Sequence, residues 1–283
     1  MYTIPSSDIQ IRDPYIVPVK ETGKYYLFGT TDSNPWDAPG EGFLVYESED
    51  LNLWSEPKVA FKPEEGFWAT HNFWAPEVHF YKGNWYIFAS FKADGVCRGT
   101  QILKSDCITG PYHPITEKPV TPAHWECLDG TLYVDEDGPP WIVFCHEWVQ
   151  VKNGEICCMP LSDDLTTPIG EPTLLFRASE GPWVVDLWGS KENFVTDGPF
   201  LYRSKNGTLR MLWSSFSTED YAISYAESQT GSILGPWIQH DRPVVVNGGH
   251  GMVFDDFEGN TFLSIHSPNG TPHERPKLIP FEK

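Results

Sequence analysis

Basic side chains are scarce in this sequence. The 283 residues carry 20 Lys and Arg against 39 Asp and Glu, a net charge of −19. Phosphate backbones and anionic lipid surfaces repel such a chain, which excludes nucleic-acid and membrane-surface partners. Nowhere do about 18 apolar residues run together, so no membrane-spanning helix is expected. The chain does not open on a basic segment followed by an apolar one; a cytoplasmic location is the expectation, with a trimmed secreted form as the alternative. The six cysteines (Cys97, Cys107, Cys127, Cys145, Cys157 and Cys158) form no CxxC pair, which argues against zinc. Adjacent Cys157 and Cys158 do not readily bridge each other, so free thiols in a reducing compartment are expected.

Long helical periodicities are few as well. Gly (24) and Pro (25) punctuate the whole chain. Aromatic rings are plentiful, with 12 Trp, 12 Tyr and 17 Phe, too many for a disordered acidic chain. Such rings build cores, and they also supply flat walls on which sugars stack.

Short aromatic and β-branched runs recur at 24–29, 84–89, 140–145, 209–214 and 261–266 and read as strands. Four of them follow a hairpin signal: Lys82-Gly83, Asp137-Gly138, Asn206-Gly207 or Glu258-Gly259. Phe28, Phe88, Phe144, Trp213 and Ile265 fall at steps of 60, 56, 69 and 52, a period of about 57 residues repeated five times. Ser-Glu-Asp-Leu at 48–51, Ser-Asp at 105–106 and Ser-Asp-Asp-Leu at 162–165 mark a third strand and its turn, and Gly-Pro at 110–111 and 235–236 opens a fourth. Four strands per repeat of this length predict propeller blades. A single all-β, five-bladed β-propeller over 1–283 is expected, with about four antiparallel strands per blade and no linker.

Ahead of each of these runs another strand begins, and its opening residues form a series: Arg12-Asp13-Pro14, Ala75-Pro76-Glu77, Leu128-Asp129-Gly130, Asp197-Gly198-Pro199 and Gly249-His250-Gly251. Asp13, Glu77, Asp129, Asp197 and His250 are read as one register. The first strand of each blade lines the axis, so these side chains are expected to converge at the channel mouth. One Asp-Gly or Asp-Pro pair alone reads as a turn. Recurrence at the start of every inner strand favours a cluster of carboxylates that raise one another's pKa.

Arg12-Asp13-Pro14, Trp74-Ala75-Pro76-Glu77, Leu128-Asp129-Gly130 and Asp197-Gly198-Pro199, in this order on a five-fold repeat, resemble glycoside hydrolase family 43 over essentially the full length. The resemblance implies hydrolysis of arabinofuranosyl or xylosyl linkages in plant-derived oligosaccharides, with inversion at the anomeric carbon. It implies that Asp13 is the general base and that Asp129 orients the acid and modulates its pKa. The family's acid is ordinarily a glutamate, and here Asp197, one methylene shorter, fills that position. Glu180 in Glu180-Gly181-Pro182 imitates the acid motif off the blade register, and Glu192 is a more distant substitute. His250 matches the family's axial histidine, which meets a calcium or sodium ion; a core hydrogen bond is the other reading. No cofactor is required for the chemistry.

Trp74, Phe73 and Trp148 are the stacking candidates, with core packing as the alternative for each. His146 and Glu147 precede Trp148 at the end of a strand expected to point to the same mouth. Arg12 is expected to brace a blade by a salt bridge, and Trp54 and Trp237 to sit in the core. The leading functional expectation is an exo-acting α-L-arabinofuranosidase or β-xylosidase. Endo-arabinanase action, or a sugar-binding propeller weakened by the aspartate at 197, are the alternatives. A protein-binding scaffold has no need of axial carboxylates, and oligomeric state is not legible.

Overall fold

The computed structural model describes residues 2–135 and 138–283. Five antiparallel sheets follow one another along the chain as the blades of a propeller. Their inner strands are Arg12–Val19, His71–Tyr81, Cys127–Val134, Asp197–Arg203 and Gly249–Asp255. Each inner strand touches the next, and the last touches the first, which closes the ring. The five aromatic runs form the second strands, Lys24–Thr30, Asn84–Ala93, Pro140–His146, Leu209–Phe216 and Thr261–Ser267. Their alternating side chains fill the spaces between blades on both faces, so Leu27, Phe28, Phe88, Phe144, Trp213 and Ile265 are all fully buried. The Lys82-Gly83 turn carries positive φ at both residues (46° and 83°), the twist a two-residue hairpin requires. The Asp137-Gly138 turn lies partly outside the described residues, because Asp137 is not among them.

Strand number departs from four per blade. The sheets have six, four, four, five and three strands. The N-terminal strand Tyr2–Pro5 pairs with Leu53–Ser55 on the outer edge of the first blade, and the last blade stops at Arg275–Pro280. Among the described residues no strand therefore locks the first blade to the fifth within one sheet, and side chains and backbone carbonyls do that work. Ile11 N–H donates to the Glu274 carbonyl, the Ser264 hydroxyl to the Pro14 carbonyl, and Arg12 pairs with the fully buried Glu274 at 2.6 Å. Trp54 and Trp237 are core residues, as expected.

Candidate active site

Every inner strand begins with the same distortion. Pairing with the second strand jumps between Arg12 and Tyr15, Trp74 and Glu77, Leu128 and Thr131, Asp197 and Phe200, and Gly249 and Met252, and the second blade has a further jump between His71 and Trp74. Each of the five shared jumps is a β-bulge, one extra residue on the inner strand. Inside it lies a residue with left-handed backbone: Asp13 (φ 53°), Ala75 (48°), Asp129 (55°), Gly198 (54°) and His250 (41°). Four of these five are not glycine, so the strain they carry is held in place by their surroundings.

The bulge corrects the expected register. Asp13, Asp129 and His250 are true equivalents, but Asp197 stands one place earlier, in register with Arg12, Trp74 and Leu128. Glu77 stands two places past Ala75, in register with Tyr15 and Thr131. Glu77 is buried deeper in the channel, 3.4 Å from His79, and does not line the pocket.

The ring of bulges is tied by one repeated hydrogen bond. Asp13 N–H donates to His266 Nδ1, Ala75 N–H to the Thr30 hydroxyl, Asp129 N–H to the Ser90 hydroxyl and His250 N–H to the Ser214 hydroxyl. Each acceptor lies in the last four residues of the preceding blade's second strand, opposite the residue just before that blade's own bulge. The equivalent acceptor for Gly198 would be Cys145, which faces Leu128. Its N–H goes instead to the Asp129 carboxylate at 3.0 Å. A Cβ on Gly198 would lie 2.7 Å from the His250 ring, so glycine is required there for space as well as for φ.

Asp13, Asp129, Asp197 and His250 line one pocket together with Arg12, Thr30, Trp36, Trp74, Glu147, Trp148, Trp188 and Tyr221. His250 Nδ1 lies 3.3 Å from Asp13 and 3.5 Å from Asp129. Burial disfavours the imidazolium, but the charges of Asp13, Asp129, Glu77 and Asp197 outweigh it and raise the pKa of His250. Burial likewise pushes Asp13 upward, yet the His250 and Arg12 charges and the Thr30 hydroxyl at 2.8 Å bring it below the ordinary carboxylate value. Burial, with the neighbouring carboxylates, lifts Asp129 to about 7 and Asp197 to about 6, against the pull of His250. Tyr221 donates its hydroxyl to Asp197 at 2.9 Å. The site thus holds one carboxyl group biased toward its charged form and a coupled pair biased toward keeping a proton, all lining the same pocket.

Burial and the Arg12 charge hold His266 at about 4, so it is neutral at pH 7 and accepts the Asp13 N–H.

The aromatic candidates divide. Trp74 lines the pocket with the Arg98 guanidinium 4.3 Å behind its ring. Buried Arg98 is in turn paired with Glu147 and Asn72. Trp148 also lines the pocket. Phe73 does not: it is 1 % exposed and packs on Phe91 at 4.8 Å, because consecutive strand residues face opposite sides. His146 is likewise turned away, stacked 4.0 Å from Trp125 and held by Glu155 and Gln150. The strand ends at His146, and the helical turn Trp148–Val151 carries the next residues to the mouth.

Glu180 caps its own turn by accepting Arg177 N–H, and Glu192 pairs with Lys152; both are exposed and off the pocket. Arg12 braces the ring, as expected, but also lines the site. Glu147 lines the pocket, as expected from its place beside Trp148, whereas Thr30, Tyr221, His266, Arg98, Trp36 and Trp188 were not legible as site residues. The recurrence of Thr30, Ser90, Ser214 and His266 at second-strand ends was the one available signal.

Around His250 the protein itself offers few ligands for a hard cation, so most of such an ion's shell would have to be water. The His250 Nδ1 faces two carboxylates, and among the described residues no grouping of three His, Cys, Asp or Glu side chains could hold a metal ion.

A propeller with a charged carboxylate and a protonated one in its axial pocket has the equipment of a glycosidase, which needs a base for water and an acid for the leaving oxygen. Comparison agrees. The profile of glycosyl hydrolases family 43 matches residues 2–280, and the chain belongs to that family; it is an enzyme that hydrolyses glycosidic bonds. An endo-arabinase from Bacteroides thetaiotaomicron is 43 % identical, with a TM-score of 0.92 over 100 % of this chain and 98 % of that one. The extracellular endo-α-(1→5)-L-arabinanase 1 of Bacillus subtilis is 24 % identical over 97 % of this chain and 85 % of its own length. The exo-α-(1→5)-L-arabinofuranosidase ArbA of Cellvibrio japonicus is 26 % identical, over 58 % of this chain and 47 % of its own. Among the described residues no helix is long and apolar enough to cross a membrane.

Proposed function

We propose that this family 43 hydrolase cleaves arabinofuranosyl linkages of arabinan-derived oligosaccharides with inversion at the anomeric carbon. The observation that carries the chemistry is the contrast in surroundings of two carboxyl groups in one pocket: Asp13 lies 3.3 Å from His250 and accepts the Thr30 hydroxyl, whereas Asp197 is buried beside Tyr221 and other carboxylates. Asp13 is held charged, and Asp197 keeps its proton up to about pH 6. Asp13 takes a proton from water as the water attacks the anomeric carbon, and Asp197 gives its proton to the departing oxygen. Pairs that work through a water stand roughly 6.5–9.5 Å apart in inverting enzymes. Asp129 and Asp197 form one coupled carboxyl pair that holds a proton near neutral pH, and the bond from Gly198 N–H to Asp129 fixes the backbone beside Asp197. Trp74, backed by Arg98 on one face, offers the other to a sugar ring.

The full-length likeness to an endo-arabinase supports arabinan as the substrate class and favours internal cleavage over the exo action expected from the sequence. All six cysteines are free thiols, which supports a reducing compartment.

The test is product analysis. Incubation with linear arabino-oligosaccharides should release shorter oligosaccharides, and proton NMR in the first minutes should show the inverted anomer. A retained anomer would overturn the assignment of Asp13 and Asp197. Binding of these sugars without any cleavage, on 4-nitrophenyl α-L-arabinofuranoside or β-D-xyloside included, would favour the weakened sugar-binding propeller. EDTA should leave turnover unchanged.

A further inference from the structure

Trp188 is the most exposed large hydrophobic side chain among the described residues, 83 % accessible, yet it lines the catalytic pocket. Leaving an indole in water forfeits its burial free energy, and nothing in the packing of the blades requires it. Its backbone is left-handed (φ 54°, ψ 26°), which is costly for a bulky residue.

The segment around it is nevertheless well tied. Leu187 is buried, and its N–H donates to the Asn193 carbonyl. The Asp186 carboxylate accepts Lys191 N–H at 2.8 Å, and the Ser190 hydroxyl oxygen accepts Asn193 N–H at 2.9 Å. The loop is therefore built to hold one indole outward. That ring meets Trp148 edge-on at 5.8 Å, and Trp148 lines the same pocket as Asp197. Trp36, 47 % exposed, also lines the pocket, from a loop of the first blade, and Arg12 lies over its ring at 4.9 Å. Indoles from two separate loops thus stand at one mouth, with the carboxylates between the strands below.

We propose that Trp188 is a stacking platform for a second pentosyl unit of the oligosaccharide, beyond the one held at the carboxylates. This rests on the arabino-oligosaccharide reading above and adds to it a requirement for chain length. An open ring face with an edge-packed partner suits the apolar face of a sugar, and a strained, tied loop lowers the ordering cost of binding.

The test compares Trp188→Ala and Trp188→Phe with the native enzyme on 4-nitrophenyl α-L-arabinofuranoside, arabinotriose and arabinopentaose. The alanine variant should raise KM more as the substrate lengthens, and its effect on the pentasaccharide should exceed that on the aryl glycoside by roughly three- to tenfold, the worth of one ring contact. The phenylalanine variant should recover most of the loss. An equal rise in KM on all three substrates, or none, would overturn the platform. Affinity electrophoresis through gels containing linear arabinan reads binding without cleavage, and the alanine variant should be retarded less than the native enzyme. Equal retardation would also overturn it. A native enzyme that neither cleaves nor binds any arabinoside overturns the substrate reading instead. The same gels cast with xylan, showing no dependence on Trp188, would then overturn the platform as well.

Discussion

Asp13 and Asp197 are both aspartates on one pocket, and their surroundings send them in opposite directions. Asp13 has a cation on each side, His250 and Arg12, and a hydroxyl on Oδ2; Asp197 has Tyr221 as a donor and carboxylates for neighbours. Replacing Asp13 by Asn keeps the shape and removes the proton acceptor, so kcat should fall by about 10²–10⁴-fold, the usual cost of losing a general base. Steady-state kinetics on a folded variant checks this, and near-native turnover would remove Asp13 from the mechanism. The pH profile follows from the same two shifts. Activity needs Asp13 ionised, so the acid limb should lie below the ordinary carboxylate pKa. It also needs the proton on Asp197, so kcat/KM should decline as pH rises through about 6 to 7, a limb that belongs to the Asp129–Asp197 pair together. A profile flat from pH 6 to pH 9 would show that the pair does not supply the acid.

At the scale of the strand, the five bulged openings turn a repeat into a site. The order of the motifs along the chain was legible, because Asp13, Asp129 and His250 do occupy one position in three blades. Asp197 and Glu77 were misplaced by one and two residues, because the left-handed residue of those blades is Gly198 or Ala75 and carries no acid. A bulge adds a residue that spacing alone cannot reveal, and the residue just before it also faces the pocket, as Arg12, Trp74 and Asp197 do. Phe73 and His146 were misread for the related reason that one step along a strand reverses the face. Cys145 is the informative exception in the ring of inter-blade bonds. A serine there would offer Gly198 N–H the hydroxyl that the other junctions use and would draw it from Asp129. A charged acceptor that loses a donor becomes easier to protonate, by about tenfold for one such bond. Cys145→Ser should therefore shift the shared proton from Asp197 toward Asp129, lowering kcat by up to about tenfold and moving the alkaline limb, with little change in Tm. An unaltered pH profile would show that Asp129 is oriented independently of this N–H.

For the whole molecule, the fold was legible from periodicity, since five aromatic second strands must each pack between two neighbours. How the ring closes was not, because it depends on contacts between the two ends of the chain. Among the described residues the last blade has three strands and none from the N-terminus, so the seam rests on side chains and on bonds to backbone carbonyls. Its centre is the pair of Arg12 and fully buried Glu274, which also accepts the Thr271 hydroxyl at 2.7 Å. The same Arg12 lies beside Asp13 and over Trp36, so the seam and the site share a residue. Removing the carboxylate with Glu274→Ala takes the nearest ion-pair partner from a largely buried guanidinium and leaves it Asn269 and the neighbouring Asp13 charge, at a cost of about 3 kcal/mol. For a chain of 283 residues that is a fall in Tm of about 5 °C, readable by calorimetry. Arg12 would also lose its anchor and move relative to Asp13, so kcat should drop together with Tm. Glu274→Gln, which keeps the shape and a hydrogen bond, should lose less of both. A Tm within a degree of the native value in Glu274→Ala would show that the blades close without this pair, through Ile11, Ser264 and the packing of the inner strands alone.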